Sequence, residues 1–132
     1  MSTLSDPEVK KLLSDPNYAV VSTLNEDGSI LSTVVWVSAD DDKAYVNSAV
    51  GRQWPANLER DPKVTVLVYE DGNPYNFVAI RGTATAATDG ADDHINSLSK
   101  KYIDKDEYPF RQPGEQRIKF DIAPDSVRHV KQ

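Results

Sequence analysis

The sequence predicts an antiparallel, barrel-like α+β domain of six to seven strands with two or three short helices. Three observations predict it. Short runs rich in Val, Ile, Thr and Ala, such as residues 18–24, 30–38 and 63–69, recur along the chain; they carry the β-branched density or two-residue alternation of strands. Asp-Gly, Asp-Pro and Asn-Pro pairs separate these runs, as turns require. At 132 residues the chain fits one core, so a single domain is expected over residues 1–132.

The first element is a short helix. Ser5-Asp6-Pro7-Glu8 suits a helix start, with Ser5 as cap, Glu8 three residues on and Pro7 in the first turn. Val9, Leu12 and Leu13 share one face, and Asp15-Pro16-Asn17 stops the helix, because a residue before proline avoids the α region. Tyr18 to Leu24 is the first strand. Asp27-Gly28 turns the chain into a second strand over Ile30 to Ser38. Residues 39–42 lead to a third strand, Lys43 to Ser48, so the three form a meander. The aspartates at 40–42 lack the glycine and glutamate spacing of a calcium loop and read as a solvated turn.

Gly51 to Arg60 is a short helix, ended by Asp61-Pro62. Lys63 to Tyr69 is the fourth strand, residues 71–74 a turn, and Phe77 to Ala86 a long fifth strand. Gly82 inside it marks a bulge or a close backbone approach. A helix capped by Asp89 runs to Ile103. Its acids Asp92 and Asp93 and its bases Lys100 and Lys101 suit the helix dipole, and Ile95, Leu98 and Tyr102 form an inward stripe. Residues 104–114 are a loop. Arg117 to Ile122 alternates cleanly as the sixth strand, and residues 125–130 form a final edge strand.

Charge and composition narrow the function. Fifteen basic residues against 21 acidic ones give a net charge of −6, which argues against nucleic-acid and anionic-membrane partners. There is no cysteine, so disulfides, thiolate catalysis and cysteine metal sites are excluded. No apolar run approaches the roughly 20 residues that span a bilayer, and the first residues show no secretory pattern. A cytoplasmic protein is expected.

Catalytic constellations are sparse. His94, mid-helix beside two acids, reads as a surface residue; His129 is a terminal histidine without a clear ligand partner. No HExxH pair, nucleophile elbow, phosphate loop or GxGxxG fingerprint is present. Metal ligands are not expected. Any enzymatic chemistry therefore points to a bound cofactor. Ser48-Ala-Val-Gly51-Arg52 sits where a strand hands over to a helix. Helix N–H groups, a glycine and an arginine there suit a phosphate, and equally suit a capped turn. Ser32-Thr33-Val34-Val35-Trp36 suits either a flat aromatic ligand along a strand or ordinary barrel packing.

Several stretches weigh on these alternatives. They are Val34-Val35-Trp36, then Gly51-Arg52 followed by Asn57-Leu58-Glu59-Arg60-Asp61-Pro62 and Val64. Asn73-Pro74-Tyr75, Arg81-Gly82-Thr83-Ala84 and Tyr108-Pro109-Phe110 complete the set. In this order they resemble the split β-barrel flavin/deazaflavin oxidoreductase family, which is related to pyridoxamine 5′-phosphate oxidase. The nearer branch uses coenzyme F-420 (8-hydroxy-5-deazaflavin). The resemblance implies a split β-barrel, a homodimer with cofactor sites at its interface, and hydride transfer to or from a small organic substrate. It places the cofactor ring against Thr33, Val34, Val35 and Trp36. It places the phosphate near Asn47, Ser48 and Arg52 and the following helix, with Gln53, Trp54 and Asn57. Tyr75 and Arg81 would close the site from the other protomer.

The deazaflavin branch usually carries a lysine two residues after this arginine and often another base before the Asn-Leu pair. This chain has Trp54 and Ala56 there. Either Trp54 stacks on the cofactor tail, or the cofactor is weakly held or a different one. Flavin mononucleotide on the same barrel, or a non-catalytic flavin, deazaflavin or tetrapyrrole binder, are the alternative readings.

Overall fold

The computed structural model describes residues 2–132. Three helices and seven strands follow one another as α1 (Pro7–Ser14), β1 (Ala19–Leu24), β2 (Ile30–Val35), β3 (Val37–Ala39), β4 (Ala44–Ala49), α2 (Gln53–Arg60), β5 (Lys63–Glu70), β6 (Asn73–Ala87), α3 (Ala91–Ile103) and β7 (Arg117–Lys131). All strands join one antiparallel sheet in the order β2-β1-β5-β6-β7-β4-β3. The two edges of this sheet, β2 and β3, are neighbours in sequence, separated by Trp36 alone. The sheet must therefore curl until its edges nearly meet, which leaves a barrel split at Trp36.

The long strands make the curl. The 15-residue β6 pairs with β5 through Lys63↔Thr83 to Glu70↔Asn73, and with β7 through Asn76↔Lys131 to Ala87↔Lys119. The first half of β7 also pairs with β4, from Ala44↔Ile122 to Ala49↔Arg117. The register between β6 and β7 shifts at Arg81/Gly82, where Asp125 of β7 is the extra residue between Ser126 and Pro124; such a bulge bends the strand that carries it. A side chain at Gly82 would press into the Ala123 carbonyl oxygen, so only glycine admits this approach.

Alternation fills the interior. Val21, Val46, Val66, Val68, Val78, Ile80, Phe120 and Ile122 are all buried in one cluster, each contributing about 1.5–3 kcal/mol relative to exposure. Helix α1 closes one side with Val9, Leu12 and Leu13, and α2 adds Trp54 and Leu58.

Several expectations are corrected. The second strand is two strands, because the chain breaks at Trp36. The meander does not form, since β2 and β4 lie toward opposite edges. The last two segments are one strand, β7, which is internal because β6 and β4 both pair with it. Asp6, not Ser5, occupies the N-cap of α1. Gly90, with φ of 76°, replaces Asp89 at the start of α3, as its left-handed backbone favours. Strand β6 begins at Asn73, so the turn before it is shorter than expected.

Candidate functional site

A cleft of about 230 Å³ opens beside the split in the barrel. Its first wall is the end of β2, Thr33, Val34 and Val35, followed by Trp36. Trp36 stacks on Tyr102 of α3 at 5.3 Å with the planes 6° apart. Tyr102 in turn stacks on Tyr18 at 5.9 Å, and Tyr108 meets Trp36 edge-on at 6.1 Å.

Two side chains of α3 hold the break in place. The Tyr102 hydroxyl accepts the Val37 N–H at 3.1 Å and donates to the Asn17 carbonyl at 2.6 Å. Lys101 Nζ donates to the carbonyls of Val37 and Leu13, each at 2.6 Å. Burial pushes the Tyr102 hydroxyl up to about 12 and the Lys101 ammonium down to about 8. Both backbone groups of Val37 are thus claimed from outside β2, and that strand ends at Val35, two residues earlier.

The floor comes from β4. Asn47 and Ser48 line it together with Ile95 and Leu98 of α3 and Trp54 of α2, and the Asn47 side chain faces α3. The orientation of the Asn47 amide follows from its partners. Arg117 Nε can only donate, so Asn47 Oδ1 faces it at 3.0 Å; the Ala91 carbonyl can only accept, so Nδ2 faces it at 2.9 Å. The same Nδ2 donates to His94 Nδ1 at 3.0 Å. His94 therefore carries its proton on Nε2, which donates to Ser38 Oγ at 2.9 Å. Burial, with the nearby Lys119 charge, lowers His94 to about 4, so it is neutral at pH 7. The Ser38–His94 pair resembles a nucleophile and its base, but the ring nitrogen facing the hydroxyl is already protonated and cannot take its proton. His94 is a packed link and not the surface residue its helical position suggests.

The hydroxyl of Ser48 is 1% exposed and has no hydrogen-bond partner. A buried hydroxyl without a partner is uncommon, and Ser48 is among the residues that line the cleft. Near it lie two arginines and one carboxylate. Glu115 Oε1 accepts from Arg117 Nη1 at 2.9 Å and from Arg52 Nη2 at 3.1 Å. Arg117 is buried and lies over the Tyr108 ring at 4.9 Å, whereas Arg52 is half exposed. Tyr18, Val34 and Phe110, all exposed, add an apolar lining.

Eight of the twelve residues singled out in the sequence line this one cleft: Thr33, Val34, Val35, Trp36, Asn47, Ser48, Arg52 and Trp54. Trp54 does so only from below. Its ring is in the core, 5.5 Å from Phe120, and does not stand free as a stacking plate. The other four lie elsewhere. Asn57 is fully buried and its amide is fully used: it donates to Thr23 and Asn25 and accepts from Gln53 and Arg60. Gln53 is tied to it on the α2 surface. Tyr75 stands exposed at the start of β6. Arg81 lines a second groove of about 400 Å³ with Lys63, Thr65 and Ile30. The sequence reading missed Tyr18, Ile95, Leu98, Arg117 and Glu115 as site residues. The only available signal was Arg117, a charge opening an otherwise alternating strand. Among the described residues, no three His, Asp or Glu side chains gather as a metal site, and no helix is long and apolar enough to cross a membrane.

Comparisons with known proteins agree with this architecture. An F-420 reductase superimposes with a TM-score of 0.78 at 22% identity, covering 90% of this chain and 94% of its own. A conserved hypothetical protein, Rv2991 of Mycobacterium tuberculosis, gives 0.76 at 19% identity, covering 96% of this chain and 84% of its own. General Stress Protein 26 of Bacillus anthracis gives 0.70 at 18% identity, over 93% and 91%. At such identities the likeness speaks for the fold. No curated protein matches the sequence. The family model for pyridoxamine 5′-phosphate oxidase matches residues 5–131. Nearly the whole chain is matched, and it belongs to the pyridoxamine 5′-phosphate oxidase family.

Proposed function

We propose that the protein is an oxidoreductase that holds coenzyme F-420 in the cleft beside Trp36 and acts on a small organic substrate, with flavin mononucleotide as the alternative cofactor. The observation that carries this reading is the unpartnered, buried Ser48 hydroxyl in a cleft lined both by Arg52 and Arg117 and by the rings of Tyr18, Trp36, Tyr108 and Phe110. A ring-plus-phosphate ligand matches that combination. Ser48 Oγ and the Arg52 guanidinium would hold the phosphate, assisted by the first N–H groups of α2. Strand β2 is a sheet edge, so part of its backbone lacks a strand partner and can bond the rim of a heterocycle. When bound, the reduced cofactor supplies a hydride. The chain's contribution is to orient the ring and to exclude water with Val34, Trp36 and Phe110. Among the described residues that line the cleft there is no histidine, aspartate or glutamate, which fits chemistry supplied by a cofactor.

A homodimer is part of the proposal. Ile30 and Val34 of β2 are 70% and 65% exposed. Val20, Leu67, Phe77 and Ala79 lie half-buried on the same outer sheet face, by the pairings Val20↔Val34, Val20↔Leu67, Leu67↔Ala79 and Tyr69↔Phe77. A second copy covering this face would bring its Tyr75 and Arg81 toward the cleft. Light scattering should give twice the chain mass; a monomer at micromolar concentration refutes the dimer.

Purified protein titrated with oxidised and reduced F-420 should quench or polarise the cofactor's fluorescence with a dissociation constant in the micromolar range. No binding at tens of micromolar refutes the deazaflavin assignment, and a yellow preparation with a flavin spectrum moves it to flavin mononucleotide. Turnover of an enone acceptor by the loaded protein separates an enzyme from a carrier.

A further inference from the structure

We infer that Glu115 sets the charge of the anion this cleft accepts, so that it takes a singly charged phosphodiester in preference to a doubly charged phosphomonoester. The inference rests on the proposed ring-and-phosphate site and adds a residue the sequence reading did not contain.

The argument is one of charge and donors. Arg52 and Arg117 share a single carboxylate oxygen, Glu115 Oε1. The Glu115 side chain is only 5% exposed, and its other oxygen accepts the Gln112 N–H at 3.3 Å, which ties it to the loop before β7. Arg117 is held further by Asn47. Two guanidinium groups and one carboxylate leave one positive charge. They also leave donors: Arg52 Nε and Nη1 and Arg117 Nη2 have no acceptor among the described residues, and the Ser48 hydroxyl joins them. A buried Arg117 needs a counter-ion.

A phosphodiester carries one negative charge and is matched by this set. A phosphomonoester carries between one and a half and two at pH 7. Its second charge meets the Glu115 carboxylate in a partly desolvated place, where repulsion between charges a few ångströms apart is weakly screened. Coenzyme F-420 carries its ribityl phosphate as a diester and flavin mononucleotide as a monoester, so the same residue bears on the choice between them.

The test compares flavin mononucleotide with riboflavin, the same ring without phosphate, by ring fluorescence. In the wild type, the monoester should bind within about threefold of riboflavin. Glu115→Gln should raise the ratio of the two affinities at least tenfold, with riboflavin itself unchanged. An unchanged ratio overturns the inference. Because Glu115 is also Arg117's counter-ion, the double variant Glu115→Gln/Arg117→Met is the companion. It removes the buried pair together and leaves one positive charge with one donor fewer, so its ratio should not rise above the wild type's. A ratio raised tenfold in that variant overturns the inference even if Glu115→Gln alone fails to fold. If the wild type binds neither ring, the cofactor reading fails, and the charge inference is judged on inorganic phosphate. Phosphate should then raise the melting temperature of the double variant and the wild type alike, and that of Glu115→Gln more steeply; equal slopes in all three overturn it.

Discussion

Tyr102→Phe tests how the split in the barrel is held. The substitution removes one oxygen and keeps the ring, so the stack on Trp36 and the packing volume are retained. Two backbone groups lose their partner: the Val37 N–H and the Asn17 carbonyl. Val37 is fully buried and Asn17 nearly so. The Val37 carbonyl keeps Lys101 and does not add to the cost. Leaving a buried backbone group unsatisfied costs about 1–3 kcal/mol, the carbonyl toward the lower end. The expected loss is about 2–4 kcal/mol, a large share of the roughly 5–15 kcal/mol that stabilises a domain. Urea unfolding followed by tryptophan fluorescence measures it. The midpoint should fall at constant m-value, with Trp36 as one of only two tryptophans reporting. Tyr18→Phe is the control, because Tyr18 is exposed and its hydroxyl makes no hydrogen bond among the described residues; it should stay within about 0.5 kcal/mol. A Tyr102→Phe loss as small as that of the control refutes the account of Trp36.

Other expectations follow from the same geometry. Gly82→Ala drives a methyl group into the Ala123 carbonyl and should cost about 3 kcal/mol or more in a melting experiment; a neutral change refutes the close approach. Asn57→Ala removes four hydrogen bonds, two that tie α2 to the β1 end and two within α2, and should destabilise by about 2–4 kcal/mol. Any ligand affinity in the folded variant should be unchanged, which separates scaffold from site. Arg52→Ala should weaken an anionic ligand about tenfold or more while leaving riboflavin alone; equal effects on both misplace the phosphate. His94 is held near 4 in the fold against an ordinary 6.5. The unfolded chain then binds the extra proton first, so this stability is present above about pH 6.5 and is lost as pH falls toward 4. The loss is on the order of 2–3 kcal/mol. His94→Gln should flatten the wild type's pH dependence between 5 and 6.5, and parallel curves refute it.

Much of the fold was legible because its causes are local. The strand segments alternate in pattern, Asp27-Gly28 makes its turn with Gly28 at φ 85°, and Gly82 marks the close approach where it occurs. Residues near one another in sequence, Thr33 to Trp36 and Asn47 to Arg52, were also legible as one wall and floor, since β4 feeds directly into α2. Asn57 shows the limit. It lies close after Arg52 in sequence, but its amide is consumed by residues of β1 and its turn.

The sequence by itself determined the class of fold, where most strand and helix segments lie along the chain, and half of the cleft. These depend on side-chain period, turn chemistry and residues a few positions apart. Only the tertiary structure decided the rest. The break at Trp36 is invisible in a β-branched run, because it is made by Tyr102 and Lys101 claiming both backbone groups of Val37 from 64 and 65 positions away. His94 is half-buried because α3 lies across β4, not because of its neighbours in the helix. The charge of the cradle depends on Arg117 meeting Asn47 across 70 positions and on Glu115 meeting Arg52 across 63. Long-range pairing of β4 with β7 brings these charges together, and no local pattern encodes which charges a sheet will make neighbours.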